Sequence, residues 1–431
     1  MKRLKDLNTD ELNELRQNLQ KQYDAYKNQK LSLNMARGKP CPEQLDLSMG
    51  MLDLLTSTSD LTDANGTDIR NYGGLDGIPE AKAFFAQMMD ISPEEIMVGG
   101  NASLSMMYDT VSAAMLHGVP DSTVPWSKLP SVKFLCPSPG YDRHFAICER
   151  QNIEMITVDM TDVGPDMDQV EKLVREDAAI KGIWCVPKYS NPTGITYSDE
   201  VVDRLARMET KASDFRIFWD NAYIVHHLTD RPDHLKNIMD ACKAAGHPDR
   251  VFLFSSTSKV TFPGGGVAVM ASSVNNLNFL KQKFSVQTIG PDKFNQLRHV
   301  RFLKDMEHLK AHMKKHAAIL KPKFDTVIKI LESELGGGQI ASWSRPNGGY
   351  FISLNTLDGC AKEVVQMAKE VGVTLTPAGA TFPYGKDPRD RNIRIAPSFP
   401  PLSELTTAIK ILCLCIQIVS IEKRLSQSVA Q

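Results

Sequence analysis

The sequence predicts an α/β protein in which a mainly parallel sheet carries helices on both faces and a smaller α+β region follows it. Three observations lead there. Between about residues 95 and 270, short apolar runs alternate with glycine-rich turns and helical stretches. Beyond about residue 294 that rhythm gives way to one long helical stretch and then to strand, helix, strand and helix. The chain has 431 residues, 42% hydrophobic and 23% charged, which is ordinary globular composition with room for two domains. A core of that size needs neither disulfides nor a metal to be stable.

The elements follow in order. Residues 8 to 30 read as a helix: Asn8-Thr9-Asp10-Glu11 supplies a capping signal, and Leu12, Leu15, Leu19 and Tyr23 recur on one face. Arg37-Gly38-Lys39-Pro40-Cys41-Pro42 breaks that pattern as a loop. Seven strand candidates come next, at residues 95–98, 132–136, 153–158, 183–186, 215–219, 251–255 and 267–270. Between them lie helices at residues 104–116, 167–176 and 201–209. The tail offers a helical stretch at 294–331, strands at 350–354 and 393–396, and helices at 361–371 and 402–425. We divide the chain into a segment 1–48 that joins the small domain, a large domain 49–320 and a small domain 321–431.

Composition narrows the function. Formal net charge is -1, so no global basic field attracts nucleic acid. None of the eight cysteines forms a C-x-x-C pair and most sit in apolar runs, which reads as buried reduced thiols in a reducing compartment. The start, Met1-Lys2-Arg3-Leu4-Lys5, lacks the apolar core of a signal peptide, and the apolar stretch Ile409 to Ile421 is short for a membrane span. The expectation is a cytoplasmic protein without a metal site.

Ligands of such sheets bind at the carboxyl ends of the strands, so the polar residues there carry the chemistry. Lys259 ends Phe254-Ser255-Ser256-Thr257-Ser258-Lys259 directly after an apolar strand. A lysine in that position is most often a snorkelling surface residue, but desolvation would free its amine to attack a carbonyl. Asp220, in Trp219-Asp220-Asn221-Ala222-Tyr223, could cap a helix or pair with a cationic ring nitrogen. Lys188-Tyr189-Ser190-Asn191-Pro192-Thr193-Gly194 is at minimum a turn. Gly99-Gly100-Asn101-Ala102-Ser103 precedes a helix whose free N–H groups and dipole would suit a phosphate.

Taken in order, these four segments resemble the fold-type I enzymes that use pyridoxal 5′-phosphate (PLP), specifically the class I/II aminotransferases. Three more segments match: Asn71-Tyr72-Gly73-Gly74, Arg345-Pro346-Asn347-Gly348-Gly349-Tyr350-Phe351 and Asn392-Ile393-Arg394-Ile395-Ala396. The resemblance spans about residues 33 to 420 and is nearest to the bacterial aspartate aminotransferase-like set, which is related to MocR effector domains.

It implies a homodimer with shared active sites and a role for each matched residue. Lys259 would hold the cofactor as a Schiff base and move the substrate's Cα proton. Asp220 would keep the ring nitrogen protonated, Tyr223 and Asn191 would bond the phenolic oxygen, and Tyr141 would stack on the ring. Asn101, Ala102, Ser103 and Ser256 would hold the phosphate, with Tyr72 reaching that of the neighbouring subunit. Arg394 would take the substrate α-carboxylate, assisted by Asn191 and by the backbone of Gly38.

One departure stands out. The family places an arginine several residues after the lysine to grip the phosphate, whereas Val260 to Val267 holds no cation. For a distal substrate carboxylate the basic candidates are Arg37, Lys39, Lys293 and Arg298, each more often a solvated or structural charge. The leading expectation is transamination between an aspartate-like amino acid and 2-oxoglutarate. Alternatives are an aminotransferase of other specificity, a PLP-dependent lyase, or a PLP-binding regulator, for which the first 33 residues are too few to hold a DNA-binding domain.

Overall fold

The computed structural model describes residues 4–429, so the first three residues of the N-terminal reading lie outside it. The central sheet runs in the order Ile96–Val98, Ala268–Ala271, Val251–Ser256, Arg216–Asp220, Ile180–Cys185, Lys133–Ser138, Glu154–Thr161 and Gly164–Pro165. Seven of these are the strands expected from the sequence. The eighth, Gly164–Pro165, is a two-residue hairpin return on Glu154–Thr161, too short to leave an apolar signature. Five consecutive strands pair in parallel. Ala268–Ala271 runs antiparallel to both of its neighbours.

Successive strand residues face opposite sides, and the two sides hold different cores. Ile183, Ile217, Trp219 and Leu253 lie in one buried cluster. Phe134, Trp184, Phe218 and Phe252 lie in the other. Because the strands point the same way, Cys185, Asp220 and Ser256 end at one edge, and Asn191, Tyr223 and Lys259 follow closely beyond it. Sheet topology therefore assembles the candidate residues from segments far apart in sequence.

A third core joins the two ends of the chain. The helix Thr9–Lys27 carries the expected capping box between Asn8 and Glu11 and buries Leu12, Leu19 and Tyr23. Leu33–Asn34 pairs in parallel with Val373–Thr374, and the Tyr23 hydroxyl donates to the Met367 carbonyl at 3.0 Å. The three-stranded sheet Ala341–Trp343, Ile352–Thr356 and Asn392–Ile395 presents Arg394 toward the large sheet. The long helical stretch expected after residue 294 is two helices, Lys293–Leu303 and Met306–Leu335. Between them Lys304 turns to φ 59° and Asp305 caps the second helix. No glycine or proline marks that break, which is why periodicity alone passed over it.

The last helix, Leu402–Val429, exceeds the short apolar stretch read from sequence. It is long and apolar enough to cross a membrane by length and composition, yet 78% of its most apolar window is buried inside the protein. Its neighbours there are the helices Thr9–Lys27 and Met306–Leu335. All eight cysteines are buried and unpaired.

Candidate active site

Asp220 closes the strand Arg216–Asp220 and is 3% exposed. One carboxylate oxygen, Oδ2, lies 2.9 Å from His144 Nε2, while Oδ1 is buried with no protein partner. A buried carboxylate oxygen without a donor is costly unless a ligand supplies one. His144 is itself held: its ring stacks on Trp184 at 4.3 Å and 9°, and Tyr141 meets it edge-on at 4.9 Å. Sequence reading overlooked His144. The signal was its place three residues after Tyr141, on the helix Asp142–Arg150 that leaves the strand end.

Lys259 keeps partial access to solvent through the cleft, but enough protein surrounds it that lost hydration pulls its amine below the ordinary lysine range. The charge of Asp220 opposes that shift only in part. Its Nζ stands 5.2 Å from the Tyr223 ring and 5.6 Å from the Tyr350 ring. These two rings stack at 6.0 Å. Burial, reinforced by Tyr141 and Asp220, pushes the Tyr223 phenol well above its ordinary value. Burial and the charges of Asp220 and Asp142 raise Tyr141 to about 12. A second overlooked residue, His226, is edge-on to Tyr223 and Tyr350, with both ring nitrogens buried and unpartnered. Burial and the nearby Lys259 drive its pKa well down.

The glycines of Pro346-Asn347-Gly348-Gly349 have a steric reason. A Cβ on Gly348 would stand 2.3 Å from the Tyr189 ring, and Gly349 adopts φ +80°. This contact seats the loop from the small sheet against the segment that carries Asn191.

Arg394 is 7% exposed on Asn392–Ile395 and lies 4.9 Å over the Phe351 ring. Its Nη1 donates to Asp142 Oδ1 at 3.0 Å and to Asn191 Oδ1 at 3.2 Å, while Nε and Nη2 both reach Thr376 Oγ1 at 3.3 Å. Gly38 packs against that ring: a Cβ there would come 2.5 Å from the Phe351 Cζ. Arg394 and Asn191 are thus in contact, and Gly38 adjoins them through Phe351.

A phosphate cradle can be assessed from its donors. The helix Ser103–His117 has Ala102 at its N-cap and no side-chain cap, so its first N–H groups are left for another acceptor. Facing it, Ser256 Oγ lies 3.0 Å from Ser258 Oγ, and Ser258 Oγ lies 3.5 Å from the Asn101 carbonyl. Gly266 closes this cradle: a Cβ there would stand 3.3 Å from both the Asn101 carbonyl and the Ser258 nitrogen, whereas Gly264 borders open space. A Cβ on Gly265 would stand 3.9 Å from Arg298 Nη2, and the Arg298 Nε is buried without a partner. The lysine loop holds no cation of its own, but Arg298 on the helix Lys293–Leu303 lies beside its Gly265. Uncapped N–H groups and hydroxyls fit a phosphate, and Asp220 Oδ1 fits a protonated ring nitrogen.

Tyr72 stands apart from this cluster. It is 81% exposed and, with Val286, Ile289 and Gly290, lines a surface cavity of 690 Å³. Of the distal-carboxylate candidates, Lys293 is buried and donates to the Gly73 carbonyl at 2.7 Å, and Arg298 Nη2 donates to Asn295 Oδ1 at 2.6 Å. Arg37 and Lys39 are exposed, with the Lys39 ammonium 3.8 Å from the Phe399 ring.

Residues 7–428 match the family model described as aspartate amino-transferase. Among curated proteins, the chain is 44% identical over 419 residues to an aspartate aminotransferase of Corynebacterium glutamicum, covering 97% of this chain and 96% of that one. A solved structure of an aspartate transaminase from the same organism superposes with a TM-score of 0.95 at 43% identity, covering 98% and 99% of the two chains. The α-aminoadipate aminotransferase of Thermus thermophilus, solved with N-(5′-phosphopyridoxyl)-L-leucine, shares the fold at a TM-score of 0.73 and 21% identity, covering 92% and 93%.

Proposed function

The chain belongs to the aspartate amino-transferase family, and from that premise we propose that it moves the amino group of an aspartate-like amino acid to a 2-oxo acid such as 2-oxoglutarate, in two half-reactions, with PLP as cofactor. The observation that carries this reading is the buried Asp220, whose Oδ1 lacks a partner while His144 holds Oδ2. A carboxylate arranged in that way suits a protonated ring nitrogen. When bound, PLP supplies an electron sink for the charge left on the substrate Cα after deprotonation.

The protein's own groups divide the remaining work. Asn101, Ala102, Ser103 and Ser256 would hold the phosphate, with Arg298 adding charge. Tyr141 would pack against the ring, and Tyr223 and Asn191 would donate to its phenolic oxygen. Lys259 would anchor the cofactor, and its amine would move the substrate's Cα proton. The depressed pKa of Lys259 supports that role, because only a neutral amine accepts a proton. Arg394 receives the α-carboxylate and fixes which Cα bond is broken, while Gly38 lets Phe351 support the guanidinium from below.

Two further parts belong to the proposal. Tyr72 serves the site of a second copy in a homodimer, which its exposure beside Val286 and Ile289 favours. A reducing, cytoplasmic setting accords with eight unpaired thiols. The aspartate preference rests on the Corynebacterium relative's name. It is tested by offering a panel of amino acids to the holoenzyme and reading single half-reactions from the cofactor's visible absorbance. Aspartate and glutamate should lead in kcat/KM. An aromatic amino acid or alanine in that place would refute the dicarboxylate preference, and no half-reaction with any amino donor would refute transamination.

A further inference from the structure

Arg394 offers five N–H donors in a planar fork. Contacts to protein oxygens already engage four of them: Asp142, Asn191 and, twice, Thr376. A carboxylate bound in bidentate fashion needs two parallel donors. The fork as it stands cannot offer two without giving one up.

The three acceptors differ in how firmly they are tied. Thr376 is 6% exposed and its hydroxyl also donates to the Ala36 carbonyl at 2.8 Å, which pins it to the chain. Asn191 is 4% exposed, in the loop packed against Gly348 and Gly349. Asp142 is different. Its side chain is 35% exposed, and it begins the helix Asp142–Arg150 immediately after Tyr141. Tyr141 offers no side-chain cap at the helix start, so a carboxylate swinging off Arg394 stays near uncapped N–H groups and the positive end of the dipole.

We propose that Asp142 is a built-in carboxylate that occupies Arg394 between turnovers and is exchanged for the α-carboxylate of the incoming substrate. This inference rests on Arg394 being the carboxylate seat. Exchange of one carboxylate for another leaves the buried guanidinium paired before and after, which avoids the cost of a bare buried charge. The same arrangement weakens every carboxylate ligand, since each must displace a negative group and then lie beside it. Asp142 is thus a positioning residue that sets substrate affinity and eases product departure.

The test measures competitive inhibition of the holoenzyme by propionate and succinate, which carry carboxylates but no amine. Asp142→Asn keeps the shape and an acceptor oxygen but removes the charge, and Asp142→Ser removes the charge and shortens the side chain while suiting a helix start. Both variants should bind both inhibitors more tightly, by about tenfold for the loss of one nearby charge. A residue that merely orients Arg394 would give the opposite sign, because its loss would weaken binding. Unchanged or weaker binding in the two folded variants overturns the proposal. Arg394→Lys is measured alongside. If it leaves both inhibition constants unaltered, Arg394 is not the carboxylate seat, and that failure is separate from the behaviour of Asp142.

Discussion

Replacing His144 tests how much the structure invests in Asp220. His144→Phe keeps an aromatic ring on Trp184, where the imidazole now stacks at 4.3 Å, and removes the ring nitrogens, among them the Nε2 that lies 2.9 Å from Asp220 Oδ2. Because Asp220 Oδ1 already lacks a protein partner, the variant leaves a buried carboxylate with neither oxygen held. A hydrogen bond to a charged group contributes about 1.5–3 kcal/mol. His144→Ala loses the stack as well, worth about another 0.5–1.5 kcal/mol. At roughly 2–4 °C per kcal/mol for a large domain, the apoenzyme's Tm should fall by roughly 3–12 °C in the Phe variant and further in the Ala variant. The assay is differential scanning calorimetry of apoenzyme and holoenzyme at one pH. Bound cofactor should restore part of the loss, because its ring nitrogen engages the free oxygen. An apoenzyme Tm unchanged in His144→Phe would refute the claim that this contact holds the carboxylate.

Other outcomes follow from the same geometry. Burial holds the Lys259 amine below its ordinary range, while in the unfolded chain it titrates near about 10.4. The unfolded chain therefore binds the extra proton between those values, and stability rises with pH across that window. Lys259→Met should raise the apoenzyme's Tm at pH 7, with the gap closing toward pH 10, while abolishing turnover; a lower Tm at pH 7 would contradict the burial argument. Gly38→Ala would drive a methyl to within 2.5 Å of the Phe351 ring beneath Arg394, so KM for all amino acids should rise by roughly tenfold or more, with a smaller change in kcat. Arg298→Met should loosen the cofactor by about tenfold in equilibrium dialysis, the loss expected for a charge-assisted phosphate contact, and should affect pyridoxal without phosphate far less. Equal loss with both forms would mean Arg298 acts elsewhere.

The readable part of this site was its chain order. Asn191, Asp220, Tyr223 and Lys259 each follow an apolar run, and apolar runs in an alternating pattern become parallel strands that end at one edge. What proximity across the sheet adds could not be read. His144 and Asp220 are 76 residues apart, and nothing local to the helix Asp142–Arg150 announces a carboxylate opposite. His226 and Arg298 were likewise invisible as neighbours of Lys259 and Gly265. Strand direction was also hidden: Ala268–Ala271 has the same apolar pattern as its neighbours but runs against them. Lys293, weighed as a possible substrate-binding cation, spends its ammonium on the Gly73 carbonyl, an interaction that only tertiary packing creates.

The core shared by the chain's two ends has a kinetic consequence. Tyr23 bonds to Met367, 344 residues away, and Leu33 pairs with Val373. Contacts of such separation are slow to form by random closure, because the entropy of the intervening loop is lost before the contact repays it. The parallel strands between Lys133 and Ser256 join neighbours much nearer in sequence, and once they have assembled they shorten the effective tether between the two ends. The helix Thr9–Lys27 is thereby left waiting for the strands and helices beyond residue 306. On that reasoning its apolar face should stay open to other chains until then, and assembly should run from the middle of the polypeptide outward.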